Sequence, residues 1–190
     1  PTLPQRAGPS FGTMRGVTNV ALLHALAESY GFGTSYRASN GLVTEPPAES
    51  FIKLLRALGL SLNDDPSDEE LQFHLDARRE FWATRPMPPC VVATEGAEKH
   101  FNVHVQDGHY AHCWITLEDG SSRDAYQDEN WAPPFTAADG TVWGEATFHT
   151  PGDLPPGWHE LHLESDDLDE ACTLIVVPQA LSTNAEVVRE

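Results

Sequence analysis

Apolar residues along this chain change their period once, at the Arg85-Pro-Met-Pro-Pro89 run. Before that run they recur at helical spacing; after it they alternate as in strands until Pro178. Helices followed by strands, without interleaving, predict an α+β chain made of two small modules in series. The pattern places a helical module at residues 14–87 and a strand module at 88–178. Residues 1–13 read as a disordered or leader segment, and 179–190 as a tail.

In the first module Val20, Leu23, Ala27 and Tyr30 form one stripe, widened by Leu26, with Gly31 as the stop. The stretch from Gly31 through Tyr36 to Thr44 has the chemistry of a short hairpin around Asn40-Gly41. Pro46-Pro47 opens a second helix, where a missing N–H is harmless, and Gly59 closes it. Its expected buried face is Phe51, Leu54, Leu55 and Leu58. Ser67 and Glu70 spell a capping box for a third helix that carries Leu71, Leu75, Phe81 and Trp82.

The second module predicts strands at Cys90–Thr94, His100–Gln106, Ala111–Glu118, Ser121–Tyr126, Glu145–Thr150, Trp158–Glu164 and Ala171–Val177. Phe101, Val103 and Val105 face one way while His100, Asn102 and His104 face the other. Cys113 and Ile115 point inward, Trp114 outward. About seven short strands with turn residues between them predict an immunoglobulin-like sandwich. The long Gln127–Gly144 link has room for the crossover between its sheets.

The formal charge of −18 repels phosphate backbones and anionic lipid, which sets aside nucleic acid and membrane surfaces as partners. A helix-turn-helix reading fails for the same reason. The second helix offers only Lys53 and Arg56, and the third sets Arg78 and Arg79 among five acidic residues. Three separated cysteines, Cys90, Cys113 and Cys172, read as buried thiols in a reducing cytoplasm. Adjacent first and last strands would instead allow a Cys90–Cys172 bridge.

Candidate chemistry is sparse. No serine elbow, phosphate loop or dinucleotide fingerprint occurs, so no catalytic set and no cofactor are assigned. His100 and His104 share a strand face but stand about 13 Å apart, too far to hold one metal ion. His109 and His112 lie closer, without a carboxylate or thiolate at ligand spacing, so no metal is expected. Asp166, Asp167, Asp169 and Glu170 lack calcium-loop order and read as a solvated hairpin tip. Trp114, Trp131 and Trp143 are the candidate ligand platform, because exposed indoles stack on the C–H faces of sugars and that contact tolerates an acidic surface. Their competing role is packing against another module or domain; Trp82 and Trp158 read as core or interface.

Two segments carry a resemblance. LLHALAESYGFGTSYRASNGLVTEPPAESFIKLLRALGL, residues 22–60, is similar to the N-terminal segment of bacterial 4-alpha-glucanotransferases (amylomaltases) of glycoside hydrolase family 77. LPPGWHELHLESDDLDEACTLIVVP, residues 154–178, resembles the close of the β-sandwich that precedes their catalytic barrel. Order and spacing also agree, although Ala38 and Ser39 stand where the family often has an aromatic residue. The resemblance implies a transglycosylase that cleaves an α-1,4 bond, holds the donor covalently and passes it to another glucan's 4-hydroxyl. A barrel needs about 250 residues, so this chain is expected to be an N-terminal accessory region, inactive alone, whose partners are its own barrel and maltooligosaccharides. The rival expectations are an independent α-glucan-binding module and an interaction adaptor unrelated to carbohydrate.

Overall fold

The computed structural model describes residues 18–180. The leader and the last ten residues of the tail lie outside them. The described residues fall into two compact units, divided between Arg79 and Glu80.

The first unit contains α1 (Val20–Ser29), the two-residue strands β1 (Tyr36–Arg37) and β2 (Val43–Thr44), α2 (Ala48–Ala57) and most of α3 (Asp68–Ala83). Asn19 caps α1 by accepting from the Leu22 N–H at 3.3 Å. Both α1 and α2 end in the same way. Gly31 and Gly59 adopt φ of +84° and +96°, and Phe32 and Leu60 return N–H bonds to Ala27 and Leu55 at 3.0 and 3.2 Å. This is the Schellman arrangement, which satisfies carbonyls that the helix itself leaves open. Leu23, Leu26, Ala27, Phe51, Ile52, Leu55, Leu62 and Leu71 bury into one core.

Several expected faces shift. Ile52 is buried, while Leu54 and Leu58 are exposed, because the buried arc of α2 turns from Phe51 and Leu55 toward Ile52. Val20 is likewise exposed. Only half of the capping box forms: Ser67 Oγ accepts from the Glu70 N–H, but the Glu70 carboxylate accepts from Asn63 instead. The hairpin turn needs left-handed φ only at Gly41, while Asn40 accepts the Leu42 N–H.

The second unit is a two-sheet sandwich built from β3 (Cys90–Thr94), β4 (His100–Gln106), β5 (His112–Thr116), β6 (Ser122–Asp124), β7 (Tyr126–Asp128), β8 (Phe135–Thr136), β9 (Val142–His149), β10 (Gly157–Ser165) and β11 (Leu168–Val177). The larger sheet runs β3-β11-β10-β5-β6, with β3 parallel to β11 and the other pairs antiparallel. The smaller runs β4-β9-β7, with β8 also on β9. Helices first and a two-sheet β-sandwich second is the order that the change of period predicts. Val103, Cys113, Ile115, Leu161, Leu163 and Leu174 are wholly buried between the sheets.

The expected crossover in Gln127–Gly144 is absent. The chain changes sheets earlier, at Ala125, whose N–H bonds to the Cys113 carbonyl, and everything from β7 to β9 belongs to the smaller sheet. Ala125 is small and buried, so a single residue makes the step. Nor do Trp82 and Trp158 enter a core: they are 40% and 66% exposed. Trp158 precedes His159 and Leu161, which take the inward positions, and alternation turns it outward.

All three cysteines are free, but only Cys113 is buried as expected: Cys172 is half-buried, and Cys90 is exposed because strand alternation turns Val91 inward in its place. Cys90 stands opposite Thr173, so its side chain and that of Cys172 fall on opposite faces of the larger sheet and no bridge forms. No helix among the described residues is long and apolar enough to cross a membrane.

Candidate functional site

The three candidate tryptophans do not share one surface. Trp114, on β5, projects from the outer face of the larger sheet. Its indole stacks on His162 across the strand pair, with centroids 4.9 Å apart and planes 7° apart, and on His112 at 5.3 Å. His162 is fixed by Thr116 Oγ1 at 3.0 Å and lies 3.5 Å from Glu160. The indole of Trp114 therefore already has two imidazole partners.

Trp143, the second residue of β9, stands on the outer face of the smaller sheet, in register with Gln106 and Phe135. Trp131 lies in the connection after β7 and is 88% exposed. Its neighbour Asn130 donates to Glu145 and Thr147 at 3.0 and 2.9 Å, which anchors that connection over the smaller sheet. Trp131 and Trp143 thus belong to one side of the sandwich, Trp114 to the other.

The smaller sheet's outer face carries a polar ladder, and here the structure gathers residues that the sequence keeps apart. The register pairs His100 with His149, Asn102 with Thr147 and His104 with Glu145. Thr147 Oγ1 donates to Asn102 Oδ1 at 3.0 Å. His104 sets Nδ1 2.8 Å from the Arg85 carbonyl and Nε2 3.4 Å from Glu145. Beyond it, Trp82, Arg85, Met87 and Pro88 join Asn102 and His104 around a hollow of about 90 Å³. A ladder of amides, imidazoles, a hydroxyl and a carboxylate beside an indole offers both donors and acceptors to a neutral polar ligand.

At the other end of the ladder Asp128, from β7, reaches two histidines. Both of its oxygens lie 3.0 Å from His149 Nδ1, and one is 3.4 Å from His100 Nε2. His100 and His104 are indeed separate, but His100 has a carboxylate and a second imidazole supplied by other strands. Local spacing could not reveal this, because the three residues meet only through the β4–β9 and β7–β9 registers. The sole sequence clue was the outward alternation of His100.

The acidic tip between β10 and β11 is a turn at Asp166-Asp167. Asp167 accepts from Gln106 Nε2 at 2.9 Å, and His109 Nδ1 lies 3.4 Å from the same carboxylate, too far for a strong hydrogen bond. Burial, followed by the Glu164 carboxylate, raises the Tyr110 phenol above its usual range. In the helical unit Glu49 and Asp64 line a cavity of about 440 Å³. Lys53 bonds Glu49 and holds its carboxyl below the usual range, the reverse of what a glycosidic general acid requires.

Comparison with known proteins extends over both units. Residues 86–178 match the family model described as the MalQ N-terminal beta sandwich domain. The 4-alpha-glucanotransferases of Mycobacterium bovis and Mycobacterium tuberculosis are 35% identical over 158 residues, 82% of this chain. The chain spans only about 21% of the length of those relatives. The crystal structure of amylomaltase from Corynebacterium glutamicum superposes with a TM-score of 0.81 at 46% identity, covering 86% of this chain and 23% of that one.

Proposed function

Because this chain belongs to the N-terminal region of the 4-alpha-glucanotransferase (amylomaltase) family, we propose that it is an accessory region of an enzyme that transfers α-1,4-glucan segments between maltooligosaccharides. Its work is to buttress a catalytic barrel carried elsewhere in the parent protein. The helical module at 14–87 and the sandwich at 88–178 serve that barrel together. One observation carries the reading: likeness runs through helices and sandwich alike, yet covers only about a fifth of the relatives' length. The free thiols suit an enzyme of the reducing cytoplasm. Incubated with maltotriose, the isolated chain is expected to release no glucose and build no longer glucans. Disproportionation by the chain alone would overturn the assignment.

A second role, direct contact with glucan, is favoured by the exposed Trp131 on the same side of the sandwich as Trp143 and the polar ladder. Trp114 on the opposite sheet is the alternative platform. Titration with maltoheptaose while following tryptophan fluorescence distinguishes them: Trp131→Ala and Trp143→Ala are expected to remove the response, and Trp114→Ala to leave it. An unchanged spectrum at millimolar sugar leaves the buttressing role alone.

A further inference from the structure

We propose that His100, Asp128 and His149 form a binding site for a divalent transition-metal ion of the zinc class, on the outer face of the smaller sheet. Each supplies one ligand atom, and these atoms all lie within 4.8 Å of one another. Among the described residues, this is the group of histidine, cysteine and acidic side chains that converges in this way.

The distances fit an ion. Zinc holds imidazole nitrogen and carboxylate oxygen at about 2.0–2.2 Å, so tetrahedral ligand atoms are spaced roughly 3.3 Å apart. The observed nitrogen–oxygen separations of 3.0 and 3.4 Å bracket that spacing. The two nitrogens must close up somewhat, and His100 is free to make the adjustment because its side chain is 62% exposed. His149 and Asp128 are more enclosed, at 20% and 31%. The frame beneath them is fixed by ladder pairing, with His149 on the central strand opposite both His100 and Tyr126.

Ligand chemistry sets the class of ion. Two imidazoles and one carboxylate suit zinc, cobalt, nickel or copper; calcium and magnesium prefer all-oxygen shells. Asp128 accepts only, so without a metal His149 turns its Nδ1 proton toward it. A cation takes that proton's place and meets the same three atoms. The exposed side of His100 leaves room for water to complete the shell.

The test uses the 190-residue chain without a histidine tag, titrated calorimetrically with Zn²⁺. One ion per chain is expected, with shifts confined to the His100 and His149 imidazole resonances. His149→Ala and Asp128→Asn should each weaken binding by at least about 100-fold, because each removes a ligand and loss of a mere supporting partner already costs about 10–100-fold. His112→Ala, on the opposite sheet, should bind as the parent does. Circular dichroism confirms that each variant is folded; should His149→Ala unfold, His100→Ala at the exposed ligand takes its place. No binding at millimolar Zn²⁺, or binding unaffected by Asp128→Asn and the histidine variants, overturns the proposal.

Discussion

At the residue scale the cysteines show how strand parity sets reactivity. Burial, with Cys172 nearby, pushes the Cys113 thiol up to about 12, and burial with Cys90 pushes Cys172 up to about 11. Cys90 faces solvent. Because the thiolate is the nucleophile, alkylation of the native chain at pH 8 is expected to label Cys90 alone, with Cys113 and Cys172 modified only after unfolding. Mass mapping of the labelled peptides checks this, and rapid native labelling of Cys113 would contradict the described burial. The same shifts fix a pH dependence. Above the ordinary thiol range the unfolded chain has lost protons that the folded chain keeps, so stability falls as pH rises from about 9 toward 12, by up to about 1.4 kcal/mol per pH unit for the buried Cys113 and by less for the half-buried Cys172, which solvent partly screens. Urea unfolding across that interval, in reductant, should show the midpoint dropping. A flat profile would mean that neither thiol is desolvated.

At the element scale, helix ends were more legible than helix faces. Gly31 and Gly59 announced their stops because a left-handed residue is needed there and a Cβ disfavours it. No atom lies within 4 Å of where either Cβ would stand, so conformation alone opposes substitution. Gly31→Ala and Gly59→Ala are each expected to cost about 1–2 kcal/mol, measured by chemical denaturation. The buried face of α2 differs from the expected one because Phe51, Leu54, Leu55 and Leu58 satisfy the helical period as well as the observed set does. Which flank is covered depends on α1, the helix packed against it, whose Leu23, Leu26 and Ala27 are remote in sequence. That correction is itself testable: Ile52→Ala should cost about 2–5 kcal/mol, whereas Leu58→Ala, at 53% exposure, should stay near 0.5 kcal/mol or below. Strand positions were more legible, since alternation from His100 to Gln106 encodes inside and outside directly. Pairing was not. Nothing local tells β4 that its neighbour is β9, and so the His100–Asp128–His149 group and the separation of Trp114 from Trp143 emerged only with the sheet order.

At the scale of the whole molecule, charge is the dominant property that no single element explains. Lys and Arg number 11 against 29 Asp and Glu, leaving −18 with histidine neutral. The Lys and Arg ion pairs seen among the described residues absorb little of this. Lys53–Glu49, Arg56–Asp64 and Arg123–Asp153 join mostly exposed carboxylates, and such surface pairs contribute about 0–1 kcal/mol each. Unpaired acidic residues repel one another across the surface, and that repulsion acts over roughly 30 Å at 0.01 M salt but only about 10 Å at 0.1 M. Two effects of salt therefore oppose each other: screening weakens a few attractive pairs and relieves many repulsive ones. With an excess of 18 negative charges the second should win. Thermal unfolding at pH 7.5 is expected to shift upward as NaCl rises from about 0.01 to 0.2 M, most steeply in the lower part of the range, where the screening length changes fastest. A midpoint that falls instead would show that specific ion pairs, rather than net repulsion, govern the stability of this acidic chain.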